Sequence, residues 1–382
     1  MAKFRAYILV IIVINITCSS ILLAQNITIN KLTNNSTDDR LPDIDGSGIS
    51  WETFDGSDWE IFYYNGTTTT QITNNNINDI STKISGDKVV WKAQTAKNAN
   101  DIFYYDGSVH QVTNSVSDET DPDISGNKIV WSGYNYSVNQ WDIFQYDTST
   151  STTTTLYDGK QYSYKPQING SNVVWYSEGP TASDKDIFTY DGTSVTNISN
   201  NTSAQEKNPI ASGSNYVWTG YTNSNYEIFY KFATSAPVQL TSNTLMDFNP
   251  QISGTSIIWQ VFDGTDWEIM YFDGSTVTQL TNDSYNQIFP KIDGTLATWY
   301  GWDGTDYEIY LYDGMNISLV TNNNFDDKTP LISGNNLVWE AKDGQDWEIY
   351  KATYTSVPEP GAIALCVLFG LPFIFRIRKN IQ

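Results

Sequence analysis

"DPDISGNKIVWSGYNYSVNQWDIFQYD", residues 121–147, reads as three short strands in succession. "PDIS" and "KIVWSGY" are separated by Gly126-Asn127, a two-residue hairpin signal in which glycine supplies the positive φ such a turn needs. "WDIFQY" follows after a polar stretch, and "TTTTLY" at 152–157 completes a fourth β-rich run. Gly86-Asp87 and Gly334-Asn335 occupy the same place in related phrases.

The phrase recurs. Trp51, Trp91, Trp131, Trp175, Trp218, Trp259, Trp299 and Trp339 stand at spacings of 40, 40, 44, 43, 41, 40 and 40 residues. Several are preceded by a variant of Pro-x-Ile-Ser-Gly, as in "PQISG" and "PLISG". An acidic residue followed by isoleucine comes after each one: Glu60, Asp101, Asp142, Asp186, Glu227, Glu268, Glu308 and Glu348. Four short strands in about 40 residues is the period of a propeller blade, so the chain is expected to form an all-β, eight-bladed β-propeller of four-stranded blades. Seven blades is the fallback should one unit be displaced. The eighth unit ends after "DWEIYKATY" without its outer "QLTN" strand, and "ITINKLTNN" at 27–35 supplies one before the first unit begins. Pairing the two would close the ring and cover an open sheet edge.

The repeats resemble those of TolB-like propellers, which run Leu-Thr, polar loop, Pro, turn, apolar strand and Asp-Ile-Tyr. The resemblance covers nearly all of residues 27–354. "ISGN" and "ISGD" stand here in place of a Pro-Asp-Gly turn, and eight units stand where the family often has six, so the resemblance implies the fold rather than TolB's own partners.

The two ends differ from the repeats. Lys3, Arg5, the apolar Ala6–Ile14 and then "ILLAQ" have the zones of a secretory signal peptide over residues 1–24, with cleavage after Ala24. Residues 25–356 make up the repeats. Residues 357–382 hold Pro358, Glu359 and Pro360, an apolar run Gly361–Phe375, and the basic Arg376, Arg378 and Lys379. That order resembles a PEP-CTERM sorting signal, which implies an exosortase-type processing protease as partner and a short transmembrane segment. Fifteen helical residues span only ~22 Å, less than a bilayer core. The implied location is exported, at the cell surface or outside it, anchored transiently through the C-terminal segment.

Of 382 residues, 14% are aromatic and only 17% charged, and the formal charge is −22. That charge disfavours nucleic acid and anionic membrane surfaces as partners. The two cysteines, Cys18 and Cys366, lie in the apolar ends, so no disulfide framework is expected in the repeats. His110 is the one histidine, which leaves no basis for a polyhistidine metal site or a Ser-His-Asp triad.

The expected function is therefore a binding or interaction scaffold, with extracellular polysaccharide or a surface protein as ligand, and not an enzyme. The alternatives are a carbohydrate-active enzyme using a carboxylate pair and a structural matrix protein without a discrete ligand. No catalytic residue and no cofactor is assigned. The column tryptophans are expected to pack between blades, leaving Tyr134, Tyr136, Trp141, Tyr300 and Trp302 as candidates for exposed stacking on a ligand. The loops at 132–140 and 177–185 depart from the short turn of other units and mark the sector where binding is expected. The acid before each isoleucine is expected to accept hydrogen bonds from the neighbouring turn and tie second to third strand. "DG-x-D" turns recur in "DGSDWEIF", "DGTDWEIM", "DGTDYEIY" and "DGQDWEIY". Their pairs Asp55/Asp58, Asp263/Asp266, Asp303/Asp306 and Asp343/Asp346 offer oxygen ligands to calcium, although two carboxylates fall short of its usual six to eight.

Overall fold

The computed structural model describes residues 26–95, 99–158, 162–178, 185–199, 205–222 and 224–355. Residues 1–24 and 357–382, expected from the sequence to be secretory and sorting segments, lie outside these residues with both cysteines. No helix among the described residues is long and apolar enough to cross a membrane.

The chain folds into eight four-stranded antiparallel sheets arranged as a ring, an eight-bladed β-propeller. Blade 1 runs through Asp39–Asp45, Gly48–Phe54, Trp59–Tyr64 and Thr69–Gln71 from the axis outward. Blades 2 to 7 repeat that order and begin at Asp79, Glu119, Ser163, Glu206, Met246 and Gln287. Blade 8 takes Asp327–Ser333, Asn336–Ala341 and Glu348–Thr355 from one end of the sequence and Asn26–Lys31 from the other. The leading strand reproduces the outer-strand contacts of the other blades. Leu32 N–H donates to Ile349 O at 2.8 Å, as Ile72 N–H does to Ile61 O. Ile349 N–H donates to Thr33 Oγ1, as Ile61 N–H does to Thr73 Oγ1.

Alternation along the strands builds the core. Trp91 on the second strand of blade 2 is fully buried and packs with Ile61 and Tyr63 of blade 1. Trp51 meets Val338 and Ile349 of blade 8, so the same contact closes the ring. All eight column tryptophans are no more than 2% exposed. An indole N–H in that position needs an acceptor, and in six blades the inner strand of the same blade provides one twelve residues upstream, whereas Trp175 Nε1 of blade 4 has none. Trp91 Nε1 donates to Asp79 Oδ1 at 2.7 Å, Trp259 to Asp247 at 2.6 Å, Trp339 to Asp327 at 2.6 Å and Trp299 to Gln287 at 3.0 Å.

The acid before each isoleucine is buried, except that Asp186 is half-buried. In blade 3 Asn135 Nδ2 at the end of the second strand donates to Asp142 at 2.8 Å, the tie the sequence suggests, but in other blades the bonds run elsewhere. Glu60 Oε1 accepts the N–H of Asn75, Glu268 that of Asp283 and Glu308 that of Asn323. These donors lie in the loop after the outer strand, so the acid ties the third strand to the start of the next blade. The alternation holds; outside blade 3 the partner differs, because the loop after the outer strand folds back over the sheet end.

Candidate functional site

One end of the ring gathers the turns between second and third strands and the starts of the inner strands. At this end each second strand pairs with the third, and the station one position beyond the buried acid of the third strand is aromatic on both strands in five blades. It is the last pair in blades 1, 6 and 7 and the last but one in blades 3 and 5. The pairs are Phe54–Trp59, Tyr134–Trp141, Tyr221–Tyr226, Phe262–Trp267 and Trp302–Tyr307. Cations cover three of them: Arg40 lies 3.4 Å from the Trp59 ring centre, Lys207 3.9 Å from that of Tyr226 and Lys328 4.6 Å from that of Tyr307. Such contacts occupy the π face with the chain's own charge.

Blade 3 is arranged differently. Its hairpin stays regular through Asn135↔Gln140 before turning at 136–139, so the loop anticipated at 132–140 is mostly strand. The extra length carries Tyr136 out to 62% exposure. Tyr134 holds it edge-on at 4.8 Å and meets Trp141 at 5.4 Å. Trp141 lies 6.1 Å from Tyr164 of blade 4, which contacts Tyr176 at 5.6 Å and lies parallel to Tyr162 at 6.3 Å. Six partly or fully exposed rings therefore form one continuous surface across two blades. Burial pushes the Tyr164 hydroxyl up to about 12, so it remains a hydrogen-bond donor at neutral pH. Lys185 lies 5.3 Å from the Tyr176 ring centre and pairs with Glu178 at 3.3 Å, bounding the surface on one side. The second sector loop, 177–185, lies largely outside the described residues.

Trp302 lies elsewhere, in a cleft of about 420 Å³ between blades 6 and 7 with Tyr285, Tyr307, Asn286 and Asp266. Tyr300 is not available for stacking on a ligand, being only 7% exposed. It follows Trp299 on the strand and so faces the other way, toward Leu337 and Trp339 of blade 8, with Phe289 stacked on it at 5.7 Å. Trp299 faces blade 6 and Tyr300 faces blade 8, so both faces of this strand are covered and neither ring meets solvent.

The axial channel opens at the centre of this face. Each inner strand bulges near its start and sets one residue in a left-handed conformation, from Leu41 at φ 48° to Thr329 at φ 51°. The flipped backbone reaches the preceding blade: Ser81 N–H donates to Glu52 Oε1 at 2.6 Å and Leu41 N–H to Glu340 Oε2 at 3.1 Å. Below the bulge, one cavity of about 400 Å³ is lined by Lys83, Lys165, Gln167, Gln251 and Lys291 among others. Lys83 sits 3.4 Å from Asp43, whose charge raises its pKa. Burial followed by repulsion from Lys83 lowers Lys291 to about 8, and its ammonium donates to Gln251 Oε1 at 3.2 Å. Burial raises Asp123 to about 6, against the opposing pull of Lys83. Although 41% of the Lys83 side chain is solvent-accessible, the ring surrounds it, so water there screens its neighbours less than at an open surface.

The "DG-x-D" aspartates converge with the following glutamate in three blades: Asp55/Asp58/Glu60, Asp263/Asp266/Glu268 and Asp303/Asp306/Glu308. The sequence reading paired only the aspartates. Pro358, Glu359, Pro360, Arg376, Arg378 and Lys379, expected from the sequence to form a sorting signal, lie outside the described residues. Sequence reasoning missed Tyr162, Tyr164, Tyr176 and Tyr285. The first two stand at alternate positions at the start of an inner strand, a signal that could have been read.

Neither a protein-family model nor a curated protein matches the chain. Solved structures do resemble it. The β-propeller domain of the Trilobed protease from Pyrococcus furiosus, described as having an open velcro topology, aligns over 75% of this chain and 98% of its own at 12% identity and a TM-score of 0.56. The computationally designed Ika8 protein aligns over 84% and 98% at 14% identity and a TM-score of 0.58. Pyrococcus horikoshii acylaminoacyl peptidase aligns over 81% of this chain at 12% identity and a TM-score of 0.53. The chain spans only 58% of that enzyme's length. The fold these define is the β-propeller, and the likeness goes no further than the fold.

Proposed function

We propose that this protein is an exported propeller of the TolB-like kind, held at the cell surface or in the extracellular matrix, where blades 3 and 4 bind extracellular polysaccharide. The carrying observation is the continuous aromatic surface from Tyr136 through Tyr134, Trp141 and Tyr164 to Tyr176. Aromatic faces pack against the apolar faces of sugar rings while tyrosine hydroxyls meet their polar edges. In blades 1, 5 and 7 comparable pairs carry a cation of the chain on their rings. Export rests on the signal-like residues 1–24 and the PEP-CTERM-like residues 357–382.

Affinity electrophoresis through gels containing the producing cell's polysaccharide tests the binding reading. Retardation of the wild type that disappears in Tyr136→Ala/Trp141→Ala, with unchanged melting, supports it; equal migration of both proteins in loaded and empty gels contradicts it. Intact-mass analysis of protein from surface and medium fractions tests export separately. Loss of both terminal segments is the expected result, and an unprocessed chain confined to the cell interior would contradict it.

A further inference from the structure

In blade 1 the turn is built by Asp55, whose Oδ1 accepts the N–H groups of Ser57 at 2.8 Å and Asp58 at 3.2 Å. Asp263 and Asp303 do the same in blades 6 and 7. This turn folds the second aspartate inward. Asp58, Asp266 and Asp306 are only 6%, 5% and 5% exposed, and no donor reaches either oxygen of any of them. Glu60, Glu268 and Glu308 are fully buried, each with one oxygen bonded to the interblade loop and Oε2 without a partner. One oxygen from each of the three carboxylates lies within 4.8 Å of the other two. Buried carboxylates without donors are costly, and three together repel one another. Something positive belongs between them.

The other blades show what that is. Blade 8 has the same phrase, and there Lys31 Nζ stands 2.9 Å from Asp343 and 3.3 Å from Glu348. Its second aspartate, Asp346, is not buried. Lys31 precedes Leu32, whose N–H bonds Ile349 O; the residues in register with it in blades 1, 6 and 7 are Gln71, Gln279 and Leu319. In blades 2, 3 and 4 a side-chain amide takes the outer oxygen instead: Gln111 on Asp101, Asn135 on Asp142 and Asn197 on Asp186. In blade 5 Glu227 Oε2 also lacks a partner, but its turn carries no aspartate. Blades 1, 6 and 7 are those in which the aspartate turn meets a glutamate that neither a lysine nor an amide side chain reaches, and there the carboxylates converge.

We propose that blades 1, 6 and 7 each bind a hard divalent cation of the calcium class through Asp55/Asp58/Glu60, Asp263/Asp266/Glu268 and Asp303/Asp306/Glu308, with Lys31 as the built-in counterpart in blade 8. An all-oxygen, triply anionic site suits calcium, and the exposed first aspartate leaves room for water to complete the coordination. These sites do not depend on the polysaccharide reading.

The test is calcium stoichiometry on the chelator-stripped full chain by equilibrium dialysis, with melting temperature recorded in calcium and in chelator. Three ions per chain are expected, one for each cluster, with a rise of several degrees in calcium. Asp58→Asn/Asp266→Asn/Asp306→Asn should bind none and melt at a temperature calcium does not move. Gln71→Lys, which copies blade 8 at an exposed position, should leave two ions. Less than one ion per wild-type chain, with melting indifferent to calcium, overturns the proposal, as does full wild-type stoichiometry in the triple variant.

Discussion

The backbone N–H of Gly46 donates to Ser333 Oγ at 2.9 Å, although 287 residues separate them. It is one link in a belt around the end of the propeller opposite the aromatic face. Gly86 N–H donates to Asp45, Gly126 to Ser85, Gly170 to Ser125, Gly213 to Asn169, Gly254 to Ser212, Gly294 to Ser253 and Gly334 to Asp293. Each first hairpin is bonded to the preceding blade, and the Gly46 link joins the last blade to the first.

Closure therefore rests on two devices of different strength. Ser333→Ala removes one exposed bond and should cost about 1 kcal/mol in urea unfolding. Deleting residues 26–34 removes the outer strand of blade 8, with the Leu32 and Thr33 bonds to Ile349. That deletion should lower the midpoint far more and expose a sheet edge prone to association, visible as concentration-dependent light scattering.

The tryptophan clamps make a second prediction. Asp79→Ala leaves the buried Trp91 N–H without its acceptor and should cost about 1–3 kcal/mol. Asp79→Asn keeps an acceptor and should recover most of the loss. Equal destabilisation by both would show that the carboxylate acts through its charge rather than as an acceptor.

Buried carboxyls at the starts of the inner strands set a pH dependence. Burial raises Asp39 and Asp79 to about 6 and Glu119 and Asp327 to about 7, above their ordinary values of 3.8 and 4.5. The folded state thus holds protons the unfolded chain has released, and stability falls as pH rises from about 4 to about 7. Melting in the presence of chelator should occur several degrees higher at pH 5 than at pH 7.5. A melting temperature that climbs with pH over this range would contradict the assignment.

In the channel, Lys291 donates to the Gln251 amide and not to a carboxylate, and burial lowers its pKa to about 8. Lys291→Met should raise stability at pH 7 by about 1 kcal/mol, since it removes a charge that folding partly desolvates. Lys83→Met should do the reverse, because it strands Asp43 and Asp123 without their neighbouring ammonium.

How far the sequence reveals the protein depends on which interactions repeat. The tryptophan period, Gly126 at φ 60° and the "KLTN" phrase at the leading end each belong to a pattern that eight blades share, so one sequence read against itself exposes them. Tyr300 shows where that reading fails: its burial depends on blade 8 lying against it, a tertiary fact with no local mark. Tyr164 and Tyr176 join Tyr134 only because adjacent blades bring separate strands side by side. The carboxylate clusters lie between these cases. Their residues were visible, but whether Glu60 turns toward Asp58 depends on the turn Asp55 builds and on which side chain the outer strand offers.

Hydrogen–deuterium exchange of the full chain, with and without the producing cell's polysaccharide, tests the central claim most directly. The account predicts new protection in residues 132–142 and 162–178, with the Gly86 and Gly334 hairpins unchanged. Protection at those hairpins instead, or none at saturating polysaccharide, would contradict it.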